Sequence, residues 1–213
     1  FYQPVLVLAD VDTLRTLPDR ELRAGLAEVI KYGVILDAEF FAWLEAYLDR
    51  LLAGEAGALA HAVETSCRLK ARIVEADETE QGRRQILNYG HTVGHAVEAL
   101  TDYRVYVHGE AVAIGMVAAA RLAVTLGVLD PSAAERIENL VRRAGLPVEL
   151  PAGLGAGEIL ACMARDKKAR AGRVTFVLPE AVGRVRIHPD VPPGELRRLC
   201  GEARAGGGGG GSL

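Results

Sequence analysis

The sequence has little that could cross-link the chain, anchor it in a membrane or attract a polyanion. Its three cysteines are odd in number and widely spaced, which favours free thiols in a reducing, cytoplasmic compartment. The longest apolar stretch, residues 111–129, is interrupted by Gly115, Arg121 and Thr125, so it predicts a buried helix and not a membrane span. A net charge of −3 offers no basic surface for nucleic acid or an anionic membrane.

Strand-like patterns are scarce as well. Before residue 170, only Pro4–Asp10 forms a continuous apolar run that closes in an acid, which is typical of a strand buried on both faces. A single strand is not stable alone, so we expect residues 1–17 to be the last strand and turn of an N-terminal α/β domain that has been removed. Two later runs, 174–178 and 183–187, flank a predicted turn at 179–182 and indicate a hairpin.

Helical periodicity accounts for most of the remaining chain. Pro18 and Asp19 suit the first turn of a helix, and Asp130 with Pro131 suits the start of another. The predicted fold is therefore mainly α: a helical bundle over residues 18–200 with a C-terminal β-hairpin, followed by a disordered glycine-rich tail at 201–213.

Histidines are concentrated in one short region, where three of the five in the chain occur. His91 and His95 lie four residues apart and share a helix face, as in helical zinc pairs, although the glutamate of the HExxH motif is missing. A second set takes one histidine of that helix with His108 and the distant Glu28. Spacing leaves both sets open, together with the interpretation that these are ordinary core or cap histidines.

Two lysines are ambiguous in the same way. Lys31 follows Glu28 at the i,i+3 distance, which predicts either an exposed ion pair or part of a site. Lys70 interrupts the predicted apolar stripe of the third helix, where an ammonium either reaches back to solvent or meets an anion. The charged run 77–84 is typical of a solvated loop, but it leads directly into the histidine region and is compatible with a site loop.

At this point the sequence resembles the C-terminal part of the 3-dehydroquinate synthase family, which belongs to the sugar-phosphate cyclases. The resemblance extends from Phe1 to about Leu199. The motifs that carry it are Phe1-Tyr2-Gln3-Pro4, Leu17-Pro18 with Arg20-Glu21, Gly25-Leu26-Ala27-Glu28-Val29-Ile30-Lys31-Tyr32-Gly33, Asp77-Glu78 with Glu80, Leu87-Asn88-Tyr89-Gly90-His91-Thr92 with Gly94-His95, His108-Gly109-Glu110-Ala111-Val112, and Asp166-Lys167-Lys168. One departure is Val93, where the family more often has an aromatic residue at a packing position.

The resemblance implies a zinc or cobalt ion held by Glu28, His91 and His108. It leaves His95 available for acid–base chemistry, and implies that Glu80 and His95 are proton acceptors. It also implies that further residues of this chain bind the substrate and contact NAD, and that the removed N-terminal α/β domain is the NAD-binding domain. The substrate-binding set is Lys31, Lys70, Arg84, Asn88 and one of Lys167 or Lys168, and the NAD-contacting set is Thr13, Leu14, Arg15 and Thr16.

The family's reaction follows from the same resemblance. It converts a seven-carbon keto-acid phosphate (DAHP) to 3-dehydroquinate and phosphate, by oxidation with NAD, elimination, reduction and aldol closure, and family members commonly dimerise. The nearest competing function is that of a sister cyclase, which acts on another sugar phosphate. Two hypotheses from different classes are a zinc-binding helical module without turnover, because a glycine-rich dinucleotide-binding region is absent, and a structural bundle with incidental histidines.

Overall fold

The computed structural model describes residues 5–79, 82–165 and 174–205. Over these residues the chain is a helical bundle with one β-hairpin, which confirms the predicted fold class. The helices are α1 (Asp19–Leu36), α2 (Ala38–Leu52), α3 (Ala56–Ala76), α4 (His91–Leu100), α5 (His108–Thr125), α6 (Pro131–Arg143), α7 (Ala156–Arg165) and α8 (Pro193–Ala205); the strands are β1 (Phe176–Ala181) and β2 (Arg184–His188), and two 3-10 helices span Val11–Thr16 and Arg83–Asn88.

Local capping explains several of these boundaries. The Asp37 carboxylate accepts a hydrogen bond from the Phe40 N–H at 2.9 Å and starts α2. Asp130 accepts from the Ser132 N–H at 2.8 Å, and Pro131 occupies the first turn of α6, as the sequence predicts. Side-chain caps therefore fix where these two helices begin.

Helix α5 forms the centre of the bundle. Every residue from Ala111 to Ala120 is buried, and the helix packs against α1, α4, α6, α8 and β1. Its contact with α4 is especially close, because a Cβ built on Gly115 would collide with the carbonyl oxygen of Gly90, and one on Gly94 would lie 3.0 Å from the carbonyl oxygen of Ala111. These glycines bring the backbones of α4 and α5 together.

The N-terminal ends of α1 and α5 are held together in a second close contact. A Cβ built on Gly109 would collide with the Ala24 carbonyl oxygen. The Arg20 guanidinium makes a bidentate contact with the Glu110 carboxylate at 2.8 and 2.6 Å, and Glu110 in turn accepts from the Val107 N–H at 3.1 Å. The first turn of α5 is thereby fixed alongside the first two turns of α1.

The buried face of α3 differs from the predicted stripe. Lys70 and Cys67 are exposed, whereas Leu69 and Ile73 are buried. The predicted stripe consisted of Leu59, Val63, Cys67, Lys70 and Val74. The buried residues are Ala58, Leu59, Ala62, Thr65, Leu69 and Ile73, so the buried face lies about one residue, or about 100°, around the helix from the predicted one. Lys70 therefore does not interrupt an apolar face.

The hairpin is also shifted relative to its prediction. β1 continues through Pro179 to Ala181, so the turn contains only Val182 and Gly183. The pairing register changes between Pro179 and Ala181, a bulge that accommodates a residue without an N–H. Gly183 has φ +84° and donates its N–H to the Val34 carbonyl at 2.9 Å, which attaches the turn to the end of α1.

The two ends of the described chain add detail to the predicted domain boundaries. Residues 5–10 are exposed and form no strand within the described ranges, and the expectation that they pair with an N-terminal α/β domain stays a prediction. Helix α8 extends to Ala205, past the predicted domain end at residue 200, and the glycine run that follows lies outside the described residues. No helix within the described ranges combines the length and hydropathy that crossing a bilayer requires.

Candidate metal centre

Three helices bring a metal-binding side chain to one point. Glu28 comes from the middle of α1, while His91 and His108 are the first residues of α4 and α5. Gly90 precedes His91 in the left-handed conformation, with φ +82°, and turns the chain from the 3-10 helix into α4. The close contacts of α5 with α4 and α1 therefore set the positions of all three side chains.

The ligand atoms of Glu28, His91 and His108 lie within 4.8 Å of one another. Glu28 Oε1 is 3.7 Å from His91 Nε2 and 3.8 Å from His108 Nε2. Two atoms bound to one tetrahedral zinc at 2.0–2.1 Å are about 3.4 Å apart, so only small movements separate these atoms from coordination. Glu28 Oε1 is also buried without a hydrogen-bond partner, which is the arrangement expected of a ligand oxygen.

Both imidazole rings are oriented by their other nitrogen. His91 Nδ1 lies 3.1 Å from the Tyr89 carbonyl oxygen, and His108 Nδ1 lies 3.0 Å from Glu98 Oε1. A carbonyl and a carboxylate only accept hydrogen bonds, so each Nδ1 is the donor and each Nε2 faces Glu28 as the nitrogen available to a metal.

The electrostatics keep His91 and Glu28 in their metal-binding protonation states. Burial, assisted by the charge of Lys31, lowers the pKa of His91 to about 4, so its ring is neutral at pH 7. Burial alone would raise the pKa of Glu28, but the ion pair with Lys31 outweighs it and the pKa lies below its ordinary value. Neutral imidazole and ionised carboxylate are the forms that bind divalent metals.

Lys31 belongs to this cluster, and the exposed ion pair is the wrong interpretation. Its side chain is only 4% exposed, and Nζ donates to Glu28 Oε2 at 2.5 Å, which leaves Oε1 for another partner. Burial lowers the pKa of Lys31, and the nearby charge of Lys70 acts in the same direction. Lys70 is therefore close to the site although it is exposed on α3.

His95 lies one turn beyond His91 at the rim of the cluster. Its ring centroid is 5.4 Å from that of His91 and 6.2 Å from that of His108, and the side chain is exposed. Of the two zinc sets left open by spacing, the structure brings together the one that contains Glu28 and His108.

The charged loop before the histidines is ordered around Asp77 in its described part. Asp77 Oδ2 accepts from the Gly82 N–H at 2.9 Å and the Arg84 N–H at 2.8 Å, and the Arg84 guanidinium donates to the Glu78 carbonyl at 2.7 Å. The 3-10 helix that carries Arg84 and the half-buried Asn88 packs against α1 and α3. Arg84 and Asn88 thus belong to the segment that leads into His91.

The remaining predicted residues lie in the first 3-10 helix or outside the described residues. Thr13–Thr16 lie in the first 3-10 helix, where the Thr13 and Thr16 hydroxyls donate to backbone carbonyls at 2.6 and 2.9 Å. That helix packs against α3. Glu80, Lys167 and Lys168 lie outside the described residues.

Sequence reasoning missed Glu98 and the anchoring role of Tyr89. The Tyr89 ring is fully buried, and its hydroxyl donates to the Met116 carbonyl at 2.8 Å, which fixes the residue whose own carbonyl holds His91. Glu98 stands seven residues after His91 on the same helix face, within an apolar run. An isolated acid in such a run is the sequence signal that could have indicated a buried partner for a histidine.

Comparison with known proteins gives a consistent result. The model of the family described as 3-dehydroquinate synthase C-terminal matches residues 25–169. A 3-dehydroquinate synthase from Pelotomaculum thermopropionicum is 66% identical over 187 residues, 88% of this chain and 50% of the relative. Another, from Desulforamulus reducens, is 55% identical over 196 residues, 92% of this chain and 55% of the relative. The chain thus spans about half the length of these curated relatives.

Solved structures share the fold. A 2-epi-5-epi-valiolone synthase from Streptomyces hygroscopicus subsp. jinggangensis, with NAD+ and Zn2+ bound, has a TM-score of 0.82 at 28% identity over 91% of this chain and 54% of its own. A 2-deoxy-scyllo-inosose synthase complexed with carbaglucose-6-phosphate, NAD+ and Co2+ has a TM-score of 0.83 at 24% identity over 95% and 57%. The second likeness shows the fold alone. Because the family model matches most of the chain, the chain belongs to the 3-dehydroquinate synthase C-terminal family.

Proposed function

We propose that this chain is the metal- and substrate-binding half of a 3-dehydroquinate synthase, which converts DAHP to 3-dehydroquinate and phosphate. The observation that carries the proposal is the buried, unpartnered Oε1 of Glu28, which faces the Nε2 atoms of two histidines on other helices. The 66% identity to a 3-dehydroquinate synthase, against 28% to a sister cyclase, favours DAHP over other sugar phosphates as substrate.

Glu28, His91 and His108 would hold a zinc or cobalt ion. When bound, such an ion acts as a Lewis acid that polarises a substrate C–O bond and makes its hydroxyl more acidic. The protein orients the two rings, keeps the ring of His91 neutral, and keeps Glu28 ionised through Lys31. Neutral-pH metal binding then needs no proton to be removed from His91 or Glu28.

The basic residues around the cluster would bind the anionic substrate. Lys31 and Lys70 carry adjacent positive charge on α1 and α3, and Arg84 offers a planar fork suited to carboxylate or phosphate. Asn88 would orient a substrate hydroxyl. We assign one of Lys167 or Lys168 to the same anion and Glu80 to proton acceptance by family resemblance.

NAD would be bound only at its edge by this chain, through Thr13–Thr16. The dinucleotide would accept a hydride from the substrate and return it later in the same cycle. In this proposal residues 1–17 end an N-terminal α/β domain that supplies the rest of the NAD site, and residues 18–205, through the end of α8, form the metal-binding domain. We further propose a cytoplasmic homodimer.

The proposal is tested in a chimera in which this chain replaces the matching half of the Pelotomaculum thermopropionicum relative. With Zn2+ or Co2+ and NAD+, we expect phosphate release from DAHP but not from sedoheptulose 7-phosphate or glucose 6-phosphate. The matched control is the same chimera with Glu28→Gln. Release from another sugar phosphate would make the chain a sister cyclase. A folded, metal-loaded chimera without any release would make it a binding module.

His95→Ala in the same chimera separates the proton-transfer role from metal binding. We expect the metal content to stay at the wild-type level while the rate of phosphate release falls by about 100- to 10,000-fold, the usual contribution of an acid–base group. Metal content is read by elemental analysis after dialysis. If the substitution empties the site, the His91/His95 pair is the correct ligand set.

A further inference from the structure

Glu98 is a buried carboxylate that none of the assigned roles uses. It lies in α4 among apolar neighbours, and the residue is 8% exposed. Burial of a carboxylate is unfavourable unless a donor compensates it, and Glu98 Oε1 lies 3.0 Å from His108 Nδ1. The pairing of this acid with His108 therefore needs a physical explanation.

The ring of His108 depends on a hydrogen-bond partner for its orientation more than the ring of His91 does. The side chain of His91 is 15% exposed and its ring is held by packing, whereas the side chain of His108 is 51% exposed. A half-exposed ring at the first position of a helix would otherwise rotate and exchange its proton between the two nitrogens. The contact with Glu98 fixes the ring so that Nε2, and not Nδ1, lies 3.8 Å from Glu28 Oε1.

The Glu98 side chain does not stabilise the end of α4. That role belongs to the backbone, because the Tyr103 N–H donates to the Glu98 carbonyl oxygen at 2.9 Å. The carboxylate instead points across to the start of α5, where His108 stands.

We propose that Glu98 is a positioning residue for the metal site: it fixes the ring and proton of His108 and increases the electron density that Nε2 presents to the ion. The inference rests on the metal site of the proposed function. A carboxylate behind a metal-binding histidine raises the basicity of the ligand and contributes one more negative charge near a divalent cation. The carboxylate of Glu28 would contact the ion directly, and that of Glu98 would act only through His108.

The test measures Co2+ binding to the full chain by competition with a chromophoric chelator. We expect Glu98→Ala to weaken Co2+ binding by about 10- to 100-fold, the usual cost of losing such a partner. Glu98→Gln should lose less, because its amide oxygen still accepts from Nδ1, and it serves where the alanine variant fails to fold. Glu138→Gln, which removes a half-buried α6 carboxylate paired with Arg121 near the far end of α5, is the control and should bind as wild type.

A second measurement needs no metal. Nitrogen chemical shifts of the metal-free chain should show His108 with its proton on Nδ1 in the wild type, and with a growing share on Nε2 in Glu98→Ala. Wild-type Co2+ affinity and an unchanged His108 tautomer in both Glu98 variants would overturn the inference. If the wild type binds no Co2+, the proposed metal site fails, while the tautomer still reports whether Glu98 orients His108.

Discussion

Glu28→Gln is expected to weaken Zn2+ or Co2+ binding by more than about 100-fold. This loss exceeds the one expected when a residue that only hydrogen-bonds a metal ligand is removed. The substitution keeps the volume of the side chain but replaces an anionic ligand oxygen with a neutral one, which divalent cations bind poorly. It also leaves an amide oxygen that can still accept from Lys31, so the metal-free chain should stay folded. Elemental analysis after dialysis and isothermal titration measure the loss.

Two comparisons make the Glu28 result specific. His108→Ala should lose the metal to a similar degree, because it removes another of the three proposed ligands. Glu64→Gln changes an exposed glutamate on α3 and should bind metal as the wild type does. Full metal occupancy in Glu28→Gln would refute the three-helix ligand set, whatever the activity of the protein.

Gly115→Ala is expected to lower the free energy of unfolding by about 3 kcal/mol, at the upper end of overpacking costs. The added methyl group would collide with the Gly90 carbonyl oxygen, a backbone atom that cannot move aside unless α4 separates from α5. Since that contact positions His91 beside His108, whose ring centroids are 5.3 Å apart, metal binding should weaken as well. Urea unfolding of the metal-free chain gives the stability change.

Gly57→Ala is the matched control for that prediction. Gly57 lies in α3, and a Cβ there would meet no atom within 4 Å. Alanine is the better helix former, so the variant should be more stable by up to about 1 kcal/mol. Equal stability of the Gly115→Ala variant and the wild type would show that α4 and α5 can separate at little cost.

Local sequence signals predicted most of the helices and strands. They failed where a contact between residues distant in the chain determines which residues are buried or paired. Pro18 with Asp19, and the cap at Asp130, located helix starts, because such signals depend on neighbours in the chain. The face of α3 was assigned wrongly, since the buried side of a helix depends on what packs against it. The course of β1 through Pro179 was missed because a bulge is visible only in the pairing of two strands.

The site shows the same division. Periodicity placed His91 and His95 on one helix face, yet it could not exclude the pair as a zinc site. Deciding between the two ligand sets requires knowing that α1 and α5 cross closely. Gly109 permits that crossing, because any side chain there would collide with the Ala24 carbonyl oxygen. Family resemblance identified Glu28 and His108 as ligands, whereas the geometry alone revealed Glu98 behind His108.

The link between α4 and α5 limits how the length of this chain can vary among its relatives. Asp102 and Tyr103 in this link both have positive φ, at 53° and 56°. Non-glycine residues seldom adopt this left-handed conformation. An inserted residue would alter the reach between Glu98 and His108, whereas the segment 144–155, which joins α6 to α7, carries none of the three ligands. Natural insertions and deletions should therefore accumulate in the second connection and be rare in the first.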